Sequence, residues 1–97
     1  MTVQTINILS EVAEELQIPE KDLILKGLYS YLERQFRAVQ AEIFEITSRY
    51  NVSSVDEMDE RYRQGTLEES DSWRDLQRLD HLEYKRERLQ KYLESLS

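Results

Sequence analysis

The chain has 97 residues, 20 acids against 13 bases, and a formal charge of −7. It has no Cys, two Gly and one Pro. Those numbers exclude a disulfide scaffold, a thiolate metal site and a cysteine nucleophile, and they fit a single domain.

No apolar run approaches the roughly 18 residues of a membrane span. The start, Met1 to Ser10, lacks a basic region followed by a long apolar run, so no signal peptide is expected. A cytoplasmic protein is the expectation. Residues 1–40 hold six acids and four bases, and residues 41–97 hold fourteen and nine. Both halves are negative, so no basic lobe stands ready for phosphates.

The expected fold is mainly α, one helical domain over 1–97. Residues 1–18 are read as a short strand plus a short helix, 19–50 as a long helix, 54–64 as a short one and 70–96 as a second long one. The segment Thr2 to Ile8 is rich in Thr, Val and Ile, which favour extended backbone. Ser10 then caps a helix through Leu16, with Val12, Ala13 and Leu16 on one face. Pro19 suits the first turn of the next helix, and Glu20 and Asp22 complement its dipole.

The second helix carries the clearest signal. Leu25, Leu28, Leu32, Phe36, Val39, Ile43, Ile46 and Tyr50 are spaced 3, 4, 4, 3, 4, 3 and 4, a helical period held over seven turns. Asp22–Lys26, Glu33–Arg37 and Glu45–Arg49 place an acid four residues before a base, the favourable order. Gly27 is a weak point in this helix. Asn51 suits a left-handed C-terminal position. Ser54 with Glu57 reads as a capping box. Val55, Met58 and Tyr62 follow at helical spacing, and Gly65 stops the helix. Leu67 is an isolated anchor in the next connection. The last helix carries Leu76, Leu79, Leu82, Arg86, Leu89, Leu93 and Leu96, a heptad-like seam with Arg86 as its polar member.

Length then argues for company. A compact chain of this size has a radius of gyration of about 12.5 Å. A thirty-residue helix is roughly 45 Å long. Two such helices side by side leave part of each stripe wet, and two chains complete a four-helix bundle. A homodimer is therefore expected, with Leu28, Leu32, Phe36, Val39, Ile43, Leu79, Leu82, Leu89 and Leu93 as its core. The competing reading is a monomer whose first helix folds back over the stripe.

Some residues fall off the core stripes. Phe44 lies roughly opposite its helix's stripe, among charged neighbours. Trp73 and Tyr84 share a side of the last helix. Trp73, Leu76, Tyr84 and Phe44 are the candidate partner contacts; the alternative for Trp73 is packing under the loop that carries Leu67. His81 has no second His or Cys to share a metal. Asp56, Glu57, Asp59 and Glu60 lack the loop spacing of a calcium site and read as a solvated face. No nucleophile triad, phosphate loop or dinucleotide fingerprint occurs. No catalytic residue, metal or cofactor is expected.

The segment Ser10-Glu-Val-Ala-Glu-Glu-Leu-Gln-Ile-Pro-Glu-Lys-Asp-Leu resembles a helix-turn-helix, with Gln17 where that turn usually has Gly. Taken with Thr2 to Ile8, the order strand, helix, turn, helix is similar to ribbon-helix-helix proteins. That resemblance implies Gln4, Thr5 and Asn7 as DNA-contacting strand residues. The run from Ala41 to Gly65 and the helix beginning near Trp73 resemble small antitoxins of prokaryotic toxin–antitoxin pairs. This implies a non-enzymatic protein that neutralises a toxin enzyme, with Asp56–Glu60 and Glu68–Asp71 steering toward a basic partner. The alternative is a DNA-binding autorepressor.

Overall fold

A computed structural model of the chain describes residues 3–67 and 72–97. Four helices follow one another: α1 (Val3–Glu15), α2 (Glu20–Tyr50), α3 (Val55–Arg63) and α4 (Ser72–Leu96). The architecture is mainly α-helical, and no strand occurs among the described residues. The molecule is long and thin, 60 × 24 × 17 Å, with a Cα radius of gyration of 19.6 Å. A compact chain of this length would have about 12.5 Å.

The N-terminal expectation is corrected. Segment 3–8 is helix rather than strand, and Ser10 lies inside α1 rather than capping it. Thr2 lies outside the described residues, as do Glu68, Glu69, Ser70 and Asp71. The β-branched content of this segment favoured an extended chain, yet packing decides. Thr5, Ile8, Leu9 and Val12 fall at helical spacing and border the same groove against α2. Ala13 is buried there.

Three of the helices end in the same way. At the end of α1, Gln17 takes φ 56°. The Gln17 N–H donates to Glu14 O and the Ile18 N–H to Ala13 O, at 3.2 and 3.0 Å. Asn51 repeats this after α2 with φ 54°, donating to Ser48 O while Val52 donates to Thr47 O. Gly65 repeats it after α3 with φ 72°, donating to Tyr62 O while Thr66 donates to Arg61 O. Each is a Schellman closure, which satisfies carbonyls left over at the helix end. Asn51 and Gly65 are usual occupants; Gln17 is not, and its Cβ bears the left-handed strain.

Helix α3 starts at the expected N-cap, Ser54, but the return bond of the capping box goes to Ser53 and not to Ser54. The Ser54 side chain accepts the Glu57 N–H at 3.2 Å. The Glu57 carboxylate reaches back to Ser53, accepting its N–H at 2.9 Å and its hydroxyl at 2.5 Å. The hydroxyl bond first, then the backbone bond, hold this carboxyl below its ordinary pKa.

The core lies at one end of the molecule. Helices α2 and α4 run antiparallel, and α3 closes over their junction. Val39, Ile43 and Ile46 of α2, Val52, Met58 of α3, and Leu76, Leu79, Leu82 and Leu89 of α4 bury one another. Leu32, Phe36, Tyr50, Val55 and Leu67 pack on this cluster while partly exposed. Polar clips lock the same end. Asp75 accepts from Tyr50 Oη at 2.5 Å and from Arg49 Nη1 at 2.8 Å, tying α4 to the end of α2. Arg61 donates to the backbone oxygens of Tyr50 and Asn51, covering carbonyls of the α2 C-terminus. Glu83 of α4 accepts the Val55 N–H at 2.8 Å, placing a carboxylate on the α3 N-terminus. Arg86, the polar member of the α4 seam, donates to Gln40 of α2 at 2.9 Å. The expected pairs Glu33–Arg37 and Glu45–Arg49 form.

Candidate interaction surface

The other end of the molecule is open. Helix α4 ends at Leu96, which borders a hollow with Leu28, Leu32, Tyr92 and Ser95. The first two turns of α2 therefore extend past α4. The α2 stripe continues into that extension without a lid. Leu25 and Leu28 are 40% and 45% exposed, whereas Val39, Ile43 and Ile46 lie between 0% and 6%. The physical cause is a mismatch in helix length, 31 residues against 25.

Helix α1 folds back along this extension and covers it incompletely. Between the two helices runs an apolar trough. Helix α1 contributes Thr5, Ile8, Leu9 and Val12; helix α2 contributes Leu23, Ile24, Gly27 and Leu28. Leu28 also lines the hollow at the end of α4, so the two depressions adjoin. Neither lining contains an acid or a base. At Gly27 an added Cβ would meet nothing within 4 Å. The glycine therefore opens the floor of the trough and is not forced by close helix contact.

The partner-contact residues expected from sequence line three hollows that share residues in turn, Asp80 between the first and second and Arg86 between the second and third. Trp73 is about half exposed, and its ring packs on Tyr62 of α3 at 5.5 Å, tilted by 41°. It shares a shallow hollow with Leu76, whose side chain is buried in the core. Tyr84 is exposed in the second of these, with Asp80 and Arg86. Phe44 is exposed on a third, beside Thr47 and Ser53. Among the residues read as a dimer core, Val39, Ile43, Leu79, Leu82 and Leu89 bury within one chain. Leu32, Phe36 and Leu93 are partly buried, and Leu28 is exposed in the trough.

Gln4, Thr5 and Asn7 lie on helix α1. A ribbon of paired strands is what carries such residues into a DNA groove, so the absence of a strand in segment 3–8 removes that reading. The acidic run of α3 is engaged locally: Asp59 pairs with Arg63 at 3.0 Å, Glu57 with Ser53, and Glu60 accepts from Gln64. No group of three or more metal-capable side chains occurs among the described residues. None of the described helices is long and apolar enough to cross a membrane.

The trough is not evident from the residues as read in sequence, where Leu25, Leu28 and Gly27 belong to one helix and Ile8 to a strand. The signal that could have found it is the spacing of Thr5, Ile8, Leu9 and Val12, read backward from Val12.

A family model covers residues 1–97 in full. The chain belongs to the Uncharacterized protein MJ0235 family. No curated protein and no solved structure matches it. Family membership and the helical N-terminus together correct the resemblance to ribbon-helix-helix antitoxins.

Proposed function

We propose that this is a non-enzymatic interaction protein that docks a protein partner in the apolar trough between α1 and the start of α2. One observation carries the reading: an apolar depression between two helices and a second at the end of a third share Leu28, with no charge in either lining. Charge depletion at the centre with polar residues at the rim is the composition of a protein-binding surface. Glu11 of α1 and Lys21 and Lys26 of α2 are exposed on the same two helices. Contiguous exposed apolar surface on a small protein marks a docking site. The lining offers neither a general acid nor a base for chemistry.

The toxin enzyme implied by the resemblance, with the acidic runs Asp56–Glu60 and Glu68–Asp71 steering toward a basic partner, would need acidic residues at the contact, and the trough supplies none. The function therefore rests on apolar docking of a protein surface, not on charge recognition. A photo-reactive side chain placed at position 27 tests this in the cells that make the protein. A covalent adduct with a polypeptide is expected. Labelling by water alone, with the helical content intact, contradicts the proposal.

A further inference from the structure

We infer that the occupant of the trough is a second copy of this chain, docked through the same patch on both molecules about a two-fold axis. This rests on the reading of the trough as a protein-docking surface and names its partner.

The first argument is area. Ten large apolar residues between Val3 and Tyr31 are each 37–76% exposed. Together they present on the order of 1,000 Å², and a stable interface takes about 800 Å² from each partner. The α1–α2 hairpin as a whole therefore offers area of the order a dimer takes, counting its trough, lined by Ile8, Val12, Ile24 and Leu28, together with the other exposed apolar residues of both helices.

The second argument is charge. The chain is 34% charged, yet residues 1–10 carry no charge, nor do residues 27–32. Both stretches border the trough. Two chains of charge −7 repel each other wherever their charged faces meet. Between Val3 and Leu32 these two neutral segments are where they can approach without that penalty. A foreign partner of opposite charge would instead favour acidic contact positions.

The third argument is shape. A two-fold interface needs one patch that is complementary to itself. Here a groove and a helix with a further exposed apolar flank sit side by side on one chain. Helix α1 shows apolar residues on the flank turned away from the trough, at Val3 and Ile6, as well as within it at Ile8 and Val12. Pairing two α1–α2 hairpins makes a four-helix cluster and gives the uncovered Leu25 and Leu28 a lid.

Sedimentation of the full chain over a range of concentrations tests this, with Gly27→Glu and Ile8→Glu as variants. Both positions are open in the monomer: a Cβ at 27 has free space, and Ile8 is about half exposed. The wild type is expected to form a dimer. Either variant should weaken it at least tenfold while leaving helical content unchanged. Raising salt should tighten the wild-type dimer, because screening removes repulsion between like-charged chains and no ion pair in the trough is lost. A monomer at millimolar concentration overturns the inference, as does a dimer that both variants leave intact or that salt weakens. The position-27 adduct separates this failure from failure of the docking reading. An adduct of twice the chain mass supports self-docking, whereas an adduct only with another protein retains the docking surface and overturns the second copy as its occupant.

Discussion

The two ends of this molecule are built from the same helix, α2, and differ in what covers it. At its C-terminal end α3 and α4 close over Ile43 and Ile46, and ionic clips from Arg61, Asp75 and Glu83 fix the closure. At its N-terminal end α1 lies alongside, α4 has already ended, and Leu25 and Leu28 remain wet. Burial is thus set by the lengths and positions of neighbouring helices and not by the residue type in the stripe. An apolar stripe becomes core at one end and stays partly in water at the other.

The strongest way to break the comparison is to cut the two ends of the stripe in the same manner. Leu79→Ala at the closed end should cost about 3–5 kcal/mol in chemical denaturation, because the side chain is fully buried and leaves a cavity. Leu25→Ala, measured at a dilution where the chain is monomeric, should cost under about 1 kcal/mol, since much of that side chain is in water already. Equal costs would mean that the N-terminal end is as closed as the other.

Removing the clip at the closed end is the next largest effect. Tyr50→Phe loses a hydrogen bond to the Asp75 carboxylate and should cost about 1–2 kcal/mol. The Tyr50 hydroxyl has a raised pKa, first through burial and then through its bond to Asp75. A group whose folded pKa is raised stabilises fully below its unfolded pKa, near 10, and loses that contribution as pH rises through the folded value. Alkaline unfolding curves of the wild type should therefore drop above about pH 10 more steeply than those of Tyr50→Phe.

Smaller gains are expected at the open end. Gln17→Gly should stabilise by up to about 1 kcal/mol, because glycine takes the left-handed conformation without strain. Gly27→Ala should add about 1 kcal/mol or less to helix stability, since nothing stands within 4 Å of the new methyl. Calorimetry of each variant checks the sign. A loss at Gly27→Ala in dilute solution would show that α1 sits closer to α2 than in this structure.

The smallest effect is at the α3 start. Glu57 has a lowered pKa, from the Ser53 hydroxyl first. Its contribution is present above the unfolded value of 4.5 and fades as pH falls through the folded one. Glu57→Gln should flatten the acid side of the stability curve slightly and leave the neutral region little changed.

Much of the closed end was legible in the residues. The α2 stripe, the Asn51 and Gly65 terminators, the Ser54–Glu57 pairing and the α4 seam each rest on local chemistry that a sequence displays directly. Even Arg86 in the seam has a local logic, since Gln40 lies across from it. The open end was read wrongly, and for a physical reason. Thr, Val and Ile near the start favour a strand in isolation, while the helix is selected by packing on α2 some twenty residues away. The glutamine side chain at 17 does not favour a left-handed backbone, and only its place where a helix-turn-helix turn usually has Gly pointed to one. The trough was missed because Thr5 and Ile8 were read as strand and so not joined with Leu9 and Val12 into one helical face, and the hollow beside it depends on where α4 stops relative to α2, a register that no single helix pattern contains.

Hydrogen exchange across concentration tests the central claim most directly. If the closed end is complete within one chain and the open end is covered by a second copy, amides of α1 and of residues 20–28 should exchange fast in dilute solution. They should slow as the protein is concentrated, while amides around Ile46, Met58 and Leu79 hold one protection at every concentration. Protection of α1 that is independent of concentration, at the level of the core, would contradict the account.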